Sequence, residues 1–217
     1  MTPNTDAIRW IFFDMGYTLV NEDGGHHARN LRTVSALCGA GQPVAVHTFE
    51  EQVLERGRDP YGGGFWRAAK GMGAVKFTRY DRSHETPFPA SAEALARLHT
   101  RFKLGIIASQ PGGSVERLRR YGLLDYLDLV YSSDEIGLNK PDPTFFAAAC
   151  RAAGCAPHEA IMVGDRLDND VAPAKSIGMM TVRLRQGMHR RAESDDPALA
   201  PDFDLPGIGD LPAALGC

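Results

Sequence analysis

Several short apolar runs of this sequence are followed by polar or charged residues of types that can work together. Asp14 and Ser109 come directly after such runs, Asp165 follows a third, and Lys140 lies in a loop beyond a fourth. In an open α/β sheet, ligands bind beyond the carboxyl ends of the strands, where residues in these positions would converge. Carboxylates, a hydroxyl and a lysine gathered there can hold Mg²⁺ and a phosphate group together, because Mg²⁺ prefers oxygen ligands.

The apolar runs predict the elements that would carry these residues. Five runs are typical of buried strands, namely residues 8–13, 103–108, 127–131, 160–163 and 179–184. Helical patterns lie between them, over residues 90–101, 113–121, 143–153 and 170–177. The alternation predicts an α/β fold with a doubly wound, Rossmann-like parallel sheet. Beyond the fifth strand we expect a polar surface loop over 186–202, then a short strand and a closing helix over 203–215.

Residues 20–87 break this alternation. They contain helical patterns near 28–38, 47–56 and 64–71, without a strong strand pattern. This composition predicts a small helical cap that is inserted after the first strand. The Rossmann-like core would then consist of residues 1–19 and 88–217.

The composition excludes several classes of protein. Of the 217 residues, 43% are hydrophobic and 24% are charged, so the chain has enough apolar material for a core and is not disordered throughout. A net charge of −3 leaves no basic excess for non-specific nucleic-acid binding. The sequence shows no apolar run near the ~20 residues of a membrane span, no signal-peptide pattern and no metal-ligand spacing of its cysteines. We expect a cytoplasmic monomer or homodimer that binds neither nucleic acid nor membranes.

Four segments together resemble the haloacid dehalogenase-like hydrolase superfamily, most of whose members are phosphatases. In chain order they are residues 12–19 (FFDMGYTL), 106–109 (IIAS), 137–143 (GLNKPDP) and 163–171 (VGDRLDNDV). Each segment alone is weak evidence, but all four occur in the family's order, at a predicted strand end or in the following loop. The resemblance implies that residues 20–87 are the cap that this family inserts after its first strand.

The resemblance also implies a role for each candidate catalytic residue. Asp14 would be the nucleophile that attacks phosphorus and forms an aspartyl-phosphate. Ser109 would donate its hydroxyl to a phosphate oxygen, and Lys140 would offset the charge of the nucleophile and the phosphate. Backbone N–H groups after the nucleophile, at Met15 and Gly16, would bind the phosphate. The substrate implied is a small phosphorylated metabolite.

Mg²⁺ is the cofactor that the resemblance implies. Its ligands would be the carboxylates of Asp14 and Asp165 and the backbone carbonyl of Gly16, while Asp170 would support the metal and orient Lys140. A carboxylate cluster with no His or Cys beside it also favours a hard cation over zinc. Taken singly, each aspartate could instead cap a turn or a helix. Independent capping, however, gives no reason for the order in which these residues occur.

The sequence departs from the family's pattern at Gly16. Phosphatases of the family usually carry a second Asp at this position, which protonates the leaving group and then activates water. General acid–base groups typically contribute ~10²–10⁴-fold to a rate. Gly16 therefore predicts weak hydrolysis of alkyl phosphate esters and better turnover of substrates whose leaving group is already acidic. On the same argument, Gly16→Asp should raise turnover on alkyl esters if the site is otherwise intact and the new carboxylate can reach the leaving oxygen.

Several explanations of Gly16 remain open. Another residue could supply the proton, and four candidates follow the first strand, namely Glu22, Asp23, His26 and His27. The substrate could be an acyl phosphate, whose leaving group needs no acid. The leaving group could be a halide, as in the family's dehalogenases, which lack the second Asp but also lack the acidic pair at 165 and 170 and work without Mg²⁺. The chain could finally be a binder of metal and phosphate with little turnover.

Substrate choice is expected to depend on the cap, which would close over the strand ends. Six cap residues could contact a substrate, namely His26, His27, Arg29, Trp66, Arg67 and Lys70. We expect Trp66 to pack in the core of the cap and the basic residues to be solvated, so the sequence does not identify the substrate. Arg166 and Asp168, between the two aspartates of the last motif, are expected at the surface.

Overall fold

The computed structural model describes residues 5–74, 78–110, 112–133 and 137–217. This part of the chain contains eight strands, namely β1 Trp10–Phe13, β2 Val20–Asn21, β3 Thr86–Pro87, β4 Lys103–Ala108, β5 Leu129–Ser132, β6 Ala160–Gly164, β7 Met180–Leu184 and β8 Phe203–Leu205. Six of them form one parallel sheet in the order β5-β4-β1-β6-β7-β8. The five predicted strands and the short additional strand after residue 202 are all present.

The described ranges also contain eight α-helices, namely α1 Asp23–Gly39, α2 Val46–Arg56, α3 Gly64–Gly71, α4 Ser91–His99, α5 Ser114–Arg120, α6 Pro143–Ala153, α7 Ala172–Ser176 and α8 Leu211–Ala214. Helix α6 shows how local sequence sets the ends of an element. The Asp142 side chain accepts a hydrogen bond from the Thr144 N–H, Pro143 takes the first helical position, and the helix ends at Gly154 with φ of 67°. A single π-helical turn, Leu167–Val171, follows β6.

Strand β1 lies at the centre of the sheet, and both of its faces are covered. Trp10 and Phe12 pack into one hydrophobic cluster together with residues of α6, whereas Ile11 and Phe13 pack into another together with residues of α4. Side chains alternate between the two faces of a strand, so a strand buried on both faces must be apolar throughout. The predicted doubly wound parallel sheet is confirmed.

Helices α1, α2 and α3 lie between β2 and β3, and they share a small hydrophobic cluster of their own. Its buried members are Val34, Leu37, Phe49, Val53, Phe65, Ala68 and Ala69. Strands β2 and β3 pair in an antiparallel ribbon at the two ends of this segment. The sequence did not predict these strands, because two residues are too few to show a periodicity. The division into a core and a cap at residues 19/20 and 87/88 stays a prediction.

The segment 186–202, predicted as a polar surface loop, also contributes buried residues. Gly187, His189, Ala192 and Leu199 are buried, and the segment forms two short 3₁₀ turns. Ala192 and Leu199 pack against Leu167 of the π-helical turn, so the loop covers the end of the sheet where β6 finishes. Within the described residues, the helices are all too short or too polar to cross a membrane.

Candidate active site

Asp14 directly follows β1, the central strand. Its backbone N–H donates to the carbonyl of Val163 in β6 over 2.9 Å, which continues the parallel pairing by one residue. The chain continues from β1 to β4 and β5 on one side of the sheet and adds β6, β7 and β8 on the other side. A doubly wound sheet binds its ligands at the point where the strand order reverses in this way. A cavity of about 220 Å³ opens there, and its lining includes Asp14, Gly16, Glu22, His26, Ser109 and Asp165. The structure thus brings together residues that are far apart in the sequence.

Lys140 reaches this site from the loop before α6, with its side chain wholly buried. Its Nζ donates to Asp14 Oδ1 over 2.8 Å and to Asp170 Oδ1 over 2.6 Å. The second carboxylate oxygen of Asp170 accepts from the backbone N–H of Arg166 over 3.1 Å. Asp170 therefore holds the ammonium group in place, which is the orienting role that the resemblance implies for it.

Asp170 can approach so closely because β6 ends in a glycine. A Cβ atom at Gly164 would lie 2.3 Å from Asp170 Oδ2. This distance is too short for any side chain at position 164. The glycine that precedes Asp165 in the last motif therefore has a packing function. It makes room for the carboxylate that positions Lys140.

Ser109 follows β4 and contacts the same loop as Lys140. Its Oγ accepts a hydrogen bond from the backbone N–H of Lys140 over 2.8 Å. A serine hydroxyl both donates and accepts, and the described residues offer its proton no acceptor. The Ser109 hydroxyl can therefore donate to an anion in the cavity.

The turn after Asp14 exposes backbone donors. The Met15 carbonyl accepts from the N–H groups of Leu19 and Val20 over 3.0 and 2.9 Å, which closes a tight turn. Within the described residues, this turn leaves the N–H groups of Met15 and Gly16 without a backbone acceptor. Successive free N–H groups in a turn can bind an anion such as a phosphate.

The cavity holds more buried negative charge than Lys140 can balance. Burial raises the pKa of Asp14 to about 6, although the attraction of Lys140 opposes this shift. Burial raises the pKa of Asp165 well above its ordinary value, and repulsion from Asp170 and Asp14 adds to the effect. Burial alone would lower the pKa of Lys140, but Asp14 and Asp170 raise it. An additional cation would relieve this excess of carboxylates.

The predicted metal ligands are all oxygen atoms, which suit Mg²⁺ better than a transition metal, although His26 and His189 also line the cavity, contrary to the expectation from the sequence. In the part of the chain that the structure describes, no three His, Cys, Asp or Glu side chains form a ready-made ligand cluster. Mg²⁺ does not require one, because it commonly takes one or two carboxylates and fills its other positions with water and substrate oxygens. Asp14, Asp165 and the backbone carbonyl of Gly16 remain the predicted protein ligands.

The sequence profile of the haloacid dehalogenase-like hydrolases matches residues 8–178. This chain belongs to that family. The family assignment and the fold predicted from the four motifs are confirmed.

Curated relatives and solved structures agree with this assignment. Glyceraldehyde 3-phosphate phosphatase of Pyrococcus furiosus is 32% identical over 202 residues, which cover 84% of this chain and 82% of that protein. The protein of the same name from Methanopyrus kandleri is 40% identical over 123 residues, so the match spans only 55% of this chain and 52% of that protein. The crystal structure of a HAD phosphatase from Thermococcus onnurineus has a TM-score of 0.65 at 27% identity, covering 96% of this chain and 98% of its own.

Among the six cap residues that could contact a substrate, the structure places His26 in the cavity around Asp14. His27 is exposed, pairs with Glu50 over 2.7 Å and lines a neighbouring cavity of about 720 Å³. Arg67 pairs with Asp59 at the surface, and Lys70 is exposed.

Two of the packing expectations for the cap are wrong. Trp66 is 47% exposed rather than part of the cap core, because Phe65 faces the cluster and leaves its neighbour outside. Arg29 is buried rather than solvated, and its guanidinium lies 3.5 Å from the centre of the Phe65 ring. A cation over an aromatic face offsets part of the cost of burying it.

The sequence also missed residues of the cavity. Arg166 and Asp168, expected at the surface, are only partly exposed, and the Arg166 guanidinium donates to both carboxylate oxygens of Asp168 beside the site. Met188 and His189 enter the cavity from the 186–202 segment. Burial lowers the pKa of His189 to about 4. Only contact with the rest of the fold distinguishes these residues from ordinary loop residues.

Proposed function

We propose that this protein is a Mg²⁺-dependent phosphatase that hydrolyses a small phosphorylated metabolite through an aspartyl-phosphate on Asp14. The observation that carries this proposal is the Asp14 carboxylate, which lies at the end of the central strand with the Lys140 ammonium 2.8 Å away. Ser109 and Asp165 line the same cavity. The predicted phosphatase activity is borne out by the curated relatives of the family, which are named phosphatases.

In the first step, an Asp14 carboxylate oxygen attacks phosphorus and the bond to the leaving oxygen breaks. In the second step, water attacks the aspartyl-phosphate and the carboxylate is released. Lys140 offsets the negative charge that the nucleophile and the phosphoryl group bring together. The Ser109 hydroxyl and the N–H groups of Met15 and Gly16 orient the phosphoryl oxygens.

Mg²⁺, when bound, neutralises charge on the phosphoryl oxygens as they react. The carboxylates of Asp14 and Asp165 and the Gly16 carbonyl would hold the ion. Asp170 contributes by fixing Lys140, which prevents the ammonium from leaving the site.

The expected substrate is a small phosphorylated metabolite, and the cavity of about 220 Å³ around Asp14 is the place for its phosphoryl group. Two relatives are named for glyceraldehyde 3-phosphate, so this compound is the first substrate to test. The protein acts in the cytoplasm as a monomer or homodimer, and neither nucleic acid nor membranes take part in the reaction.

The test is a phosphate-release assay on glyceraldehyde 3-phosphate, other sugar phosphates and p-nitrophenyl phosphate, with Mg²⁺ or with a chelator. Wild-type protein is expected to release phosphate only with Mg²⁺, and Asp14→Asn to release none. Asp125→Asn, a change to an exposed aspartate, is the matched control and should match the wild type. Halide release from 2-haloacids in place of phosphate release would favour the dehalogenase alternative. Mg²⁺ binding without either activity would favour a non-catalytic binder.

A further inference from the structure

A phosphatase needs a proton for its leaving oxygen, and most polar groups of this cavity are already engaged. The inference developed below rests on the proposed function. Lys140 donates to two carboxylates, and Arg166 is paired with Asp168. The Tyr17 hydroxyl donates to Asp23 over 3.1 Å. Among the described residues, Glu22 and Asp165 are the acids of this cavity without a lysine or arginine at the carboxylate, and Asp165 is a predicted metal ligand.

The carboxylate of Glu22 occupies the space that a side chain at position 16 would take. A Cβ atom built on Gly16 would lie 2.5 Å from Glu22 Oε1 and 2.8 Å from its Cδ. Gly16 is two residues from Asp14, and both residues line the cavity with Glu22. Glu22 therefore places a carboxyl group where the residue at position 16, a glycine, has no side chain.

Capping of α1 does not explain this position of Glu22. Glu22 is the N-cap residue of α1, yet its side chain makes no capping hydrogen bond to the helix. Its side chain is only 16% exposed and points into the cavity that contains Asp14. A carboxylate without a capping bond would ordinarily extend into solvent, so something else holds it there.

Arg29 and His26 form a chain of contacts that ends at the Glu22 carboxylate. Arg29 donates from Nη2 to His26 Nδ1 over 2.6 Å, and His26 Nε2 lies 3.4 Å from Glu22 Oε2. Burial lowers the pKa of Arg29 to about 10, so the guanidinium stays charged at neutral pH. A guanidinium only donates hydrogen bonds, so His26 Nδ1 must accept. The proton of a neutral His26 is then on Nε2 and faces Glu22.

Stacking fixes the plane of the His26 ring. Tyr17 lies nearly parallel to it, with ring centroids 5.4 Å apart, and Tyr80 packs at 4.8 Å. The two ring nitrogens of His26 contact Arg29 and Glu22, respectively. His26 acts on the reaction only by positioning Glu22.

We propose that Glu22 is the general acid and base of this enzyme, and that His26 and Arg29 are its positioning residues. In the first step, an Asp14 carboxylate oxygen bonds to phosphorus while the bond between phosphorus and the leaving oxygen breaks. The Glu22 carboxyl gives its proton to that leaving oxygen. In the second step, the Glu22 carboxylate takes a proton from the water that attacks phosphorus, and Asp14 is released. The cycle consumes one water, yields an alcohol and phosphate, and restores the Glu22 proton.

The experiment compares turnover numbers for a series of phosphate esters that runs from alkyl to aryl leaving groups. An acid matters most when the leaving oxygen is basic, so Glu22→Gln should lower kcat on alkyl esters by ~10²–10⁴-fold. On p-nitrophenyl phosphate, whose leaving group needs little protonation, the loss should be less than about tenfold. The dependence of rate on leaving-group pKa is expected to be shallow in the wild type and steep in Glu22→Gln.

Three further variants complete the design. Glu22→Asp keeps a carboxyl group and should recover part of the alkyl-ester turnover. His26→Phe keeps the stacked ring but donates nothing to Glu22, and it should steepen the leaving-group dependence by a smaller amount. Glu116→Gln, a change to an exposed glutamate of α5, is the matched control and should reproduce the wild-type dependence.

Equal losses on alkyl and aryl esters in Glu22→Gln would overturn the proposal, because they would mean that Glu22 only supports the fold. An unchanged leaving-group dependence would overturn it as well. Failure of the proposed function is distinguishable from both results. In that case wild-type protein would not hydrolyse even p-nitrophenyl phosphate, and Asp14→Asn would change nothing.

Discussion

The buried ammonium group of Lys140 lies 2.8 Å from Asp14 Oδ1, although 126 residues separate the two in the chain. The pair joins the end of the central strand to the loop before α6. A nucleophile in this position is both kept ionised and kept in place by one cation. The energetics of the site therefore depend on this ammonium group.

Replacing Lys140 by methionine should destabilise the protein and abolish its activity. The variant keeps the volume of the side chain but leaves Asp14 and Asp170 buried without their cation. Removing one partner of a buried ion pair typically lowers the free energy of unfolding by ~3–5 kcal/mol. Urea denaturation measures this loss. Lys103→Met, which breaks an ion pair on a side chain that is 62% exposed, is the control and should cost ~1 kcal/mol or less.

Asp165→Ala should weaken Mg²⁺ binding. The Asp165 carboxylate has no hydrogen-bond donor among the described residues, and its raised pKa reflects burial beside Asp170 and Asp14. Removing it takes away a predicted ligand and also relieves the repulsion that favours cation binding. Isothermal titration calorimetry should show a lower affinity than in the wild type, whereas Asp125→Ala should bind normally. Equal affinities in Asp165→Ala and the wild type would contradict the predicted ligand set.

The sequence was sufficient to predict the sheet and the residues at its strand ends. β1 consists of Trp10–Phe13, four apolar residues buried on both faces, and such runs have a clear signature. Parallel strands also place their carboxyl ends on one side, so Asp14 and Ser109 had to lie at the same edge. Short elements such as β2 and β3 carried no comparable signal.

The sequence could not rank the residues that reach the cavity from outside the motifs. Glu22, Asp23, His26 and His27 are equivalent candidates on composition, and only the path of the chain at the start of α1 separates them. In the structure, Asp23 bonds to Tyr17 and His27 pairs with Glu50. Glu22 alone lies over Gly16. Such a relation depends on side-chain direction in three dimensions, which periodicity does not encode.

His189 should make the protein less stable as the pH falls from about 6.5 to about 4. Burial lowers the pKa of His189 to about 4, against 6.5 for an ordinary histidine. In this range the unfolded chain binds a proton at this histidine and the folded protein does not, so the contribution of His189 to stability rises with pH through the window. At ~1.36 kcal/mol per pKa unit, the contribution is about 3 kcal/mol.

Urea denaturation between pH 4 and pH 8 measures this dependence. The difference in stability between the wild type and His189→Gln should shift in favour of the wild type as the pH rises from about 4 to about 6.5, whatever the stability of the variant at neutral pH. His84→Gln alters a histidine whose side chain is 54% exposed, and it should keep the wild-type profile. Parallel profiles for His189→Gln and the wild type would mean that His189 titrates normally in the folded protein.

The sequence alone suggests that Gly16→Asp would raise turnover on alkyl phosphates, but the position of Glu22 reverses this expectation. A Cβ atom at position 16 would lie 2.5 Å from Glu22 Oε1, so the new side chain and the existing carboxylate compete for one space. Displacing the Glu22 carboxylate would break its contact with His26 and would bring two carboxylates together in the cavity, which opposes the substitution. Gly16→Asp alone should therefore lower both the melting temperature and kcat.

The double variant Gly16→Asp/Glu22→Gly should recover turnover on alkyl phosphates that either single change loses. Glycine is tolerated at a helix N-cap, so removing the Glu22 side chain leaves α1 intact and clears the space for the new aspartate. A double-mutant cycle on an alkyl phosphate should then show a coupling between the two positions, with the double variant faster than Glu22→Gly and faster than Gly16→Asp. Additive effects would mean that the two side chains do not serve the same purpose. A gain from Gly16→Asp with Glu22 still present would mean that the carboxylate of Glu22 moves aside without cost, and the acid would then have to be sought elsewhere in the cavity.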